Sequence, residues 1–319
     1  MNKKLTIIIP HFNCPHYLRT LLNSIPNLSE IQVIVVDDKS TEYVAEYNCL
    51  QEEFSERNIE FYDNDEKKSA GTCRNIGMRH AVGEWILFAD SDDYYVEGFY
   101  DAVSRYFDSD YDIVFYPPTS IVLGTGEPSD RHIQTAKKVY DYCENPDWKN
   151  VLELRYRYQS PCSKLIRKSL ISENDIWFEE IIASNDVMFS MKCGYAAKKI
   201  AADSQIIYCI TMNKGSLTNT ISEEVFDVRT GVFYRRYIFL NERLTKKEMK
   251  YLECNGRVTI FQAVQNGYGM RKVFQLFREF HHYGIRFWDW DLIPKALHYV
   301  RVIFEQIGIR KRDKKFIVK

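Results

Sequence analysis

Trp85-Ile86-Leu87-Phe88-Ala89-Asp90-Ser91-Asp92-Asp93 is a run of five apolar residues that empties into four polar ones, three of them carboxylates. An apolar run without alternation reads as a strand buried on both faces, as in a parallel sheet. Two upstream stretches repeat the pattern. Leu5-Thr6-Ile7-Ile8-Ile9 ends at Pro10 and His11, and Ile31-Gln32-Val33-Ile34-Val35-Val36 ends at Asp37-Asp38-Lys39-Ser40. Ile59 to Tyr62 and Ile113 to Tyr116 are shorter strand signals. Helical spacing fills the gaps at Tyr17 to Ile25, Ala70 to Ala81 and Val96 to Phe107. This alternation predicts an α/β fold with a doubly wound, mainly parallel sheet and helices on both faces. Ligands of such sheets bind at the carboxyl ends of the strands, which here are acidic. Pro117 to Asp147, rich in Gly, Pro, Ser and Thr, reads as a long loop. Regular patterning returns from Trp148 to about Thr220. A mostly helical C-terminal region follows from Ile221, with helices at Phe233 to Leu240, Lys246 to Phe261 and Arg271 to Phe280.

Composition narrows the function. Of 319 residues, 43 are basic and 44 acidic, a net charge of −1 that excludes the basic footprint of a general nucleic-acid binder. Eight cysteines without a CxxC pair suggest neither a disulfide framework nor a zinc site, and point to a reducing, cytoplasmic setting. The N-terminal apolar run is too short for a signal peptide, and no 18-residue apolar stretch is long enough to span a bilayer.

On their own chemistry the acidic turns admit two readings. Asp90 and Asp92, one residue apart after a buried strand, can share Mg²⁺ or Mn²⁺ with phosphate oxygens, or can be an exposed turn that caps the next helix. Asp38 can accept from a base N–H or a ribose hydroxyl, or cap the following segment. Phe12 can stack on a nucleobase or belong to the core.

The order of the motifs adds a resemblance. Thr6-Ile7-Ile8-Ile9-Pro10-His11-Phe12-Asn13, then Val33-Ile34-Val35-Val36-Asp37-Asp38-Lys39-Ser40-Thr41, resemble the opening strands of the family 2 glycosyltransferases. Gly71-Thr72-Cys73-Arg74-Asn75-Ile76-Gly77 and Ala81-Val82-Gly83-Glu84-Trp85 onward to Asp93 are similar to that family's G-x-x-x-A-R-N-x-G and strand-to-D-S-D-D segments. The resemblance implies a GT-A domain over residues 1–220, with a nucleotide-binding half (1–116) and an acceptor half (117–220), ahead of the helical region 221–319. It implies inverting transfer of a hexosyl or N-acetylhexosaminyl group from a nucleotide-sugar, a UDP-sugar in most members. The acceptor would be a hydroxyl of a glycan or lipid-linked glycan, in bacterial surface polysaccharide synthesis.

Carried over by position, Pro10 and Phe12 would line the base pocket, with Asn13 and Ser91 among the donor-binding residues, and Asp38 would meet the uracil. Asp90 would face the ribose or a metal-bound water, Asp92 would ligate Mn²⁺ or Mg²⁺, and Arg74 and Asn75 would shape the pocket. Ser184-Asn185-Asp186-Val187-Met188-Phe189 resembles the family's G-E-D-x-x-F and makes Asp186 the general base, or else the N-cap of a helix from Val187 to Tyr195. Asn185 departs from the family's Glu. Lys164, in a segment like N-K-L-Y-R, would order the acceptor half or be a surface charge. Lys214-Gly215-Ser216-Leu217-Thr218 resembles a closing R-x-x-x-G-S-x-T segment, but Thr211 stands where its Arg often lies, and Lys214 lacks the bidentate fork.

Other classes to weigh are an idle nucleotide-sugar-binding module and a metal-dependent nucleotide-sugar hydrolase or nucleotidyltransferase. From Trp288 the apolar positions Ile293, Leu297, Val300, Phe304 and Ile307 recur at helical spacing before Arg310-Lys311-Arg312. Such a helix suits peripheral contact with the inner face of a membrane, or packing on the core or on a second subunit as in a homodimer.

Overall fold

The structure, a computed structural model, describes residues 3–66, 68–212 and 222–285. Packing divides the chain into two compact units, Met1–Leu252 and Glu253–Lys319. The strands of the first are β1 (Leu5–His11), β2 (Ile31–Asp37), β3 (Ile59–Asp63), β4 (Trp85–Phe88) and β5 (Tyr94–Tyr95). They continue with β6 (Ile113–Phe115), β7 (Pro118–Val122), β8 (Lys164–Arg167), β9 (Ile200–Ala202) and β10 (Tyr208–Met212). Its helices are α1 (Pro15–Ser24), α2 (Val44–Glu53), α3 (Ala70–His80), α4 (Phe99–Ser104), α5 (Ile133–Glu144) and α6 (Trp148–Leu152). After a π-helical turn (Glu153–Arg157) come α7 (Lys168–Glu173), α8 (Asn185–Ala196), α9 (Glu223–Arg243) and α10 (Lys246–Tyr251). The second unit contains α11 (Arg257–Gln265) and α12 (Gly269–His282).

Seven strands form one sheet in the order β3-β2-β1-β4-β8-β6-β9, parallel except where β8 runs against β4 and β6. β1 and β2 are buried at every residue, as uninterrupted apolar runs in a parallel sheet require. Pro10 fits inside the central strand β1 because pairing with β4 ends at Ile8↔Phe88. Ile8 accepts from Ala89 on that side, and Pro10 points the same way two residues later, where no ladder partner is needed.

A second sheet, β5-β10-β7, stands beside the first. It corrects the reading of 117–147 as a loop. β7 is only half apolar, and it is a strand because it pairs in parallel with β10, from Tyr208↔Pro118 to Met212↔Val122. α5 buries only Ala136 and Val139, too narrow a stripe to stand out from its polar surroundings. The helix expected over Val96–Phe107 shortens to α4, because Tyr94–Tyr95 is drawn into pairing with β10 and Gly98, at φ +79°, starts the helix. The helix expected over Lys246–Phe261 is two helices, α10 and α11, interrupted where Glu253 takes a positive φ of 45°. Lys214 to Thr218 and the stretch from Trp288 to Lys319 lie outside the described residues.

α3 lies very close to the sheet. A Cβ at Gly77 would sit 2.4 Å from Ile8 Cγ2, and one at Gly71 would sit 2.3 Å from the Glu179 carbonyl oxygen. In an open helix, Gly→Ala gains about 1 kcal/mol. Here the added methyl forces α3 off β1, so Gly77→Ala is expected to lower stability by about 1–3 kcal/mol in urea unfolding. A variant as stable as the parent would show that α3 does not depend on this contact.

Candidate active site

Two groups of side chains gather at the carboxyl ends of β1, β2 and β4, with α3 running from one to the other. In the first, Asp38 is buried and its Oδ1 accepts from Asn64 Nδ2 at 2.7 Å and from the Ser69 amide at 3.2 Å. Burial raises its pKa, against the lowering by Asn64 and the Lys68 charge. Ser69 is the N-cap of α3, accepting from the Thr72 amide, so the carboxylate is tied to the helix start. Phe12 is not core. It is 41% exposed, with the Lys68 ammonium 3.4 Å from its ring centroid.

The neighbouring residues shape the loops. Asn13, at φ +53°, accepts from the Thr41 and Glu42 amides through Oδ1 and so joins the ends of β1 and β2. Asp37 is held by His11 Nδ1 at 2.7 Å and by the Ser40 hydroxyl and amide. Burial pushes Asp37 up, but these donors outweigh it and the net shift is downward. His11, stacked on Tyr47 at 4.6 Å, accepts the Cys14 amide on Nε2.

The second group is the Asp90–Asp93 loop. The helix-cap reading fails, because Gly98 precedes α4 and no side chain caps it. Instead β10 pins the loop. Asp93 is buried and accepts from the Tyr208 hydroxyl at 2.8 Å and the Thr211 amide at 2.7 Å. The Asp90 amide donates to the Tyr208 oxygen, and the Thr211 hydroxyl donates to the Asp92 carbonyl. Ser91 is buried, with its Oγ 3.1 Å from Cys14 Sγ. Asp92 is pushed up to about 6, first by burial and then by the charge of Asp90, opposed weakly by Arg131. Two carboxylates crowded enough to raise a pKa suit a hard divalent cation. Among the described residues no cluster of three or more His, Cys, Asp or Glu could hold a metal, so the remaining ligands would have to come from phosphate or water.

Arg74 connects this loop to α8. Its buried guanidinium donates from Nη2 to Asp90 Oδ1 at 2.5 Å and from Nη1 to Asn185 Oδ1 at 2.9 Å, over the Phe178 ring. Asn75 clamps the irregular segment at Phe178, accepting from its amide and donating to its carbonyl. Asp186 is not the N-cap of α8. Ser184, at φ +56°, holds that position without a side-chain bond, and Asp186 lies in the first turn. Burial raises the Asp186 pKa, Arg74 and Lys164 pull it down, and Asp90 adds to the rise.

Phe189, one turn on, packs against Phe88 of β4 and Phe178 and fixes α8 to the sheet. Lys164 is no surface charge. Its ammonium is buried, donating to the Tyr158 carbonyl at 2.6 Å and to Ser190 Oγ at 3.2 Å. Ser190 stands one helical turn past Asp186 on the same face of α8.

Residues 6–174 match the family described as Glycosyl transferase family 2. This chain belongs to that family. Over 211 residues it is 28% identical to the poly(ribitol-phosphate) beta-N-acetylglucosaminyltransferase TarS of Staphylococcus aureus, a match covering 64% of this chain and 35% of TarS. The chain thus spans about a third of the length of that curated relative. In three dimensions it resembles TarS 1–349 solved with UDP-GlcNAc, with a TM-score of 0.65, 21% identity and coverage of 88% of this chain and 80% of that one. It also resembles a mannosyltransferase of Pyrobaculum calidifontis in complex with GDP-Man and Mn²⁺, with a TM-score of 0.53, 12% identity and coverage of 95% and 81%. The mainly parallel sheet flanked by helices is the GT-A fold of the TarS structures.

Three contributors went unread in the sequence: Asn64 at the end of β3, Tyr208 behind Asp93, and Arg131 near Asp92. Asn64 obeys the same strand-end rule that singled out Asp38.

Burial lowers the Lys164 pKa from 10.5 to about 7. Between those values the folded chain binds fewer protons at Lys164 than the unfolded chain, so this residue makes stability rise with pH. Below about 7 both states are protonated and the cost of burying the charge is fully present. Lys164→Met is therefore expected to compare best with the parent near neutral pH and progressively worse toward about pH 10. Urea midpoints across that range check this, and parallel curves would refute it.

Proposed function

We propose that this chain is an inverting glycosyltransferase that moves a hexosyl or N-acetylhexosaminyl group from a UDP-sugar to a hydroxyl of a glycan or lipid-linked glycan, in bacterial surface polysaccharide synthesis. The observation that carries the reading is the Arg74 bridge, which joins the Asp90 loop to the helix bearing Asp186. TarS, a named N-acetylglucosaminyltransferase bound to UDP-GlcNAc, supports the donor class. All eight cysteines are free, which supports a reducing, cytoplasmic setting.

In this reading Phe12 and Pro10 flank the base and Asp38 accepts from it, oriented by Asn64 and Ser69. Asn13 and Ser91 act behind these groups by holding the two loops. Asp92, with Asp90, would hold Mn²⁺ or Mg²⁺, which would offset the charge that develops on the diphosphate leaving group. Arg74 orients Asp90 and keeps its charge within reach of Asp186. Asp186 takes the proton from the acceptor hydroxyl as that oxygen attacks the anomeric carbon from the face opposite the departing diphosphate. A carboxylate with a raised pKa is a better base for this step than an ordinary one.

Asp92→Asn is expected to abolish metal-dependent UDP binding in calorimetry while leaving the thermal melt in place, and unchanged binding would refute the metal assignment. Asp186→Asn is expected to keep donor affinity and lose about 10²-fold or more in transfer. Normal transfer in that variant would remove Asp186 from the mechanism. UDP release that ignores sugar acceptors would favour a hydrolase.

A further inference from the structure

In the second unit, α12 presents an outer face that packing among the described residues does not explain. α11 and α12 each already have an inner set: Thr259 and Ala263 on one, Val273, Leu276 and Phe280 on the other. A Cβ at Gly256 would meet the Phe280 ring at 2.3 Å, so the chain entering α11 lies tightly against α12. On α12, Met270 and Phe274 point away from these positions and are 64% and 67% exposed. Among the described residues the other large hydrophobics above 57% are Val258 and Val264, on the side of α11 that faces away from α12. On α12 the helical repeat sets Met270, Phe274, Arg271 and Arg278 within about 100° of one another, opposite the buried stripe.

The charge on this face has one sign. From Arg257 to Ile285 the single carboxylate is Glu279, which is half-buried and accepts from Gln275 at 2.8 Å. Exposed apolar side chains flanked by arginines, with no exposed carboxylate among the described residues 257–285, match an anionic bilayer surface. Phosphate headgroups answer the guanidinium groups, and the acyl boundary takes Phe274 and Met270. A second copy fits poorly, because pairing this face with itself sets arginine against arginine with no acid to answer them.

We infer that the outer face of α12 docks the protein peripherally on an anionic membrane. It does so without a spanning segment, since among the described residues no helix is long and apolar enough to cross a bilayer. The inference stands apart from the basic stretch after Trp288 and does not depend on the transferase reading. It would bring the enzyme to the surface on which a lipid-linked acceptor is presented.

The experiment is co-sedimentation of the full chain with vesicles of phosphatidylcholine alone or mixed with phosphatidylglycerol. The parent is compared with Met270→Gln/Phe274→Gln and with Arg271→Gln/Arg278→Gln. The parent is expected to bind the mixed vesicles and not the neutral ones, with binding that weakens as salt rises. Each double variant is expected to lose about tenfold or more of that binding, while thermal melting and metal-dependent UDP binding stay as in the parent. Four results overturn the inference: no vesicle binding by the parent, equal binding to both vesicle types, binding that survives both double variants, or self-association in sedimentation velocity that only Met270→Gln/Phe274→Gln abolishes. The last would assign the face to a second copy.

Discussion

A guanidinium taken out of water must be answered by its surroundings, and Arg74 imposes that requirement on everything around it. Leaving such a charge unanswered costs several kcal/mol, so its partners cannot drift without destabilising the fold. One arm holds Asp90 at the end of β4, the other holds Asn185 at the start of α8, and the Phe178 ring lies under the plane. Arg74 reaches all three only because α3 lies so close to β1 and to the Glu179 backbone, which Gly77 and Gly71 allow. The next residue, Asn75, clamps the Phe178 main chain from both sides. The spacing Gly71, Arg74, Asn75, Gly77 is therefore one mechanical unit. Two positions set the distance, one carries the charge and one fixes the segment at Phe178.

The acidic residues differ by the company they keep. Asp37 and Asp38 are adjacent, yet Asp37 is consumed by His11 and Ser40 in holding its own loop, while Asp38 is pushed toward protonation beside an exposed aromatic ring. Asp92 and Asp93 divide in the same way. Asp93 is buried against β10 with donors on both oxygens, although burial and the charges of Asp90 and Asp92 still push it well up, and Asp92 is pushed up to about 6, first by burial. In each pair one carboxylate, Asp37 or Asp93, takes donors on both oxygens and holds its turn, because a turn tight enough to place a carboxylate needs fixed acceptors of its own.

The central strands could be read from the chain because burial on both faces leaves an unmistakable apolar run, and the strand ends could be read because polarity changes abruptly there. What was hidden depends on partners remote in sequence. β7 is an unremarkable stretch until β10 lies beside it. Lys164 sits in an ordinary alternating segment, and only the packing of β8 against α8 and the chain at Tyr158 encloses its ammonium. Phe12 looked equally suited to a core, and its exposure follows from the left-handed turn at Asn13 that immediately follows it. The base candidate Asp186 was legible as a motif, but its place inside the helix rather than at the cap depends on Ser184 adopting a positive φ.

The bonds that pin Asp93 also set an order of events in synthesis. Its two donors lie on β10, far along the chain at Tyr208 and Thr211. The first four strands can pair with one another as they leave the ribosome, but the loop between β4 and β5 gains its fixed acceptors only after residue 211 has emerged. Closing contacts across so long a separation is slow compared with local pairing. A nascent chain can therefore pair its first strands before the Asp90–Asp93 loop is fixed, and the final shape of that loop is among the last features the domain acquires.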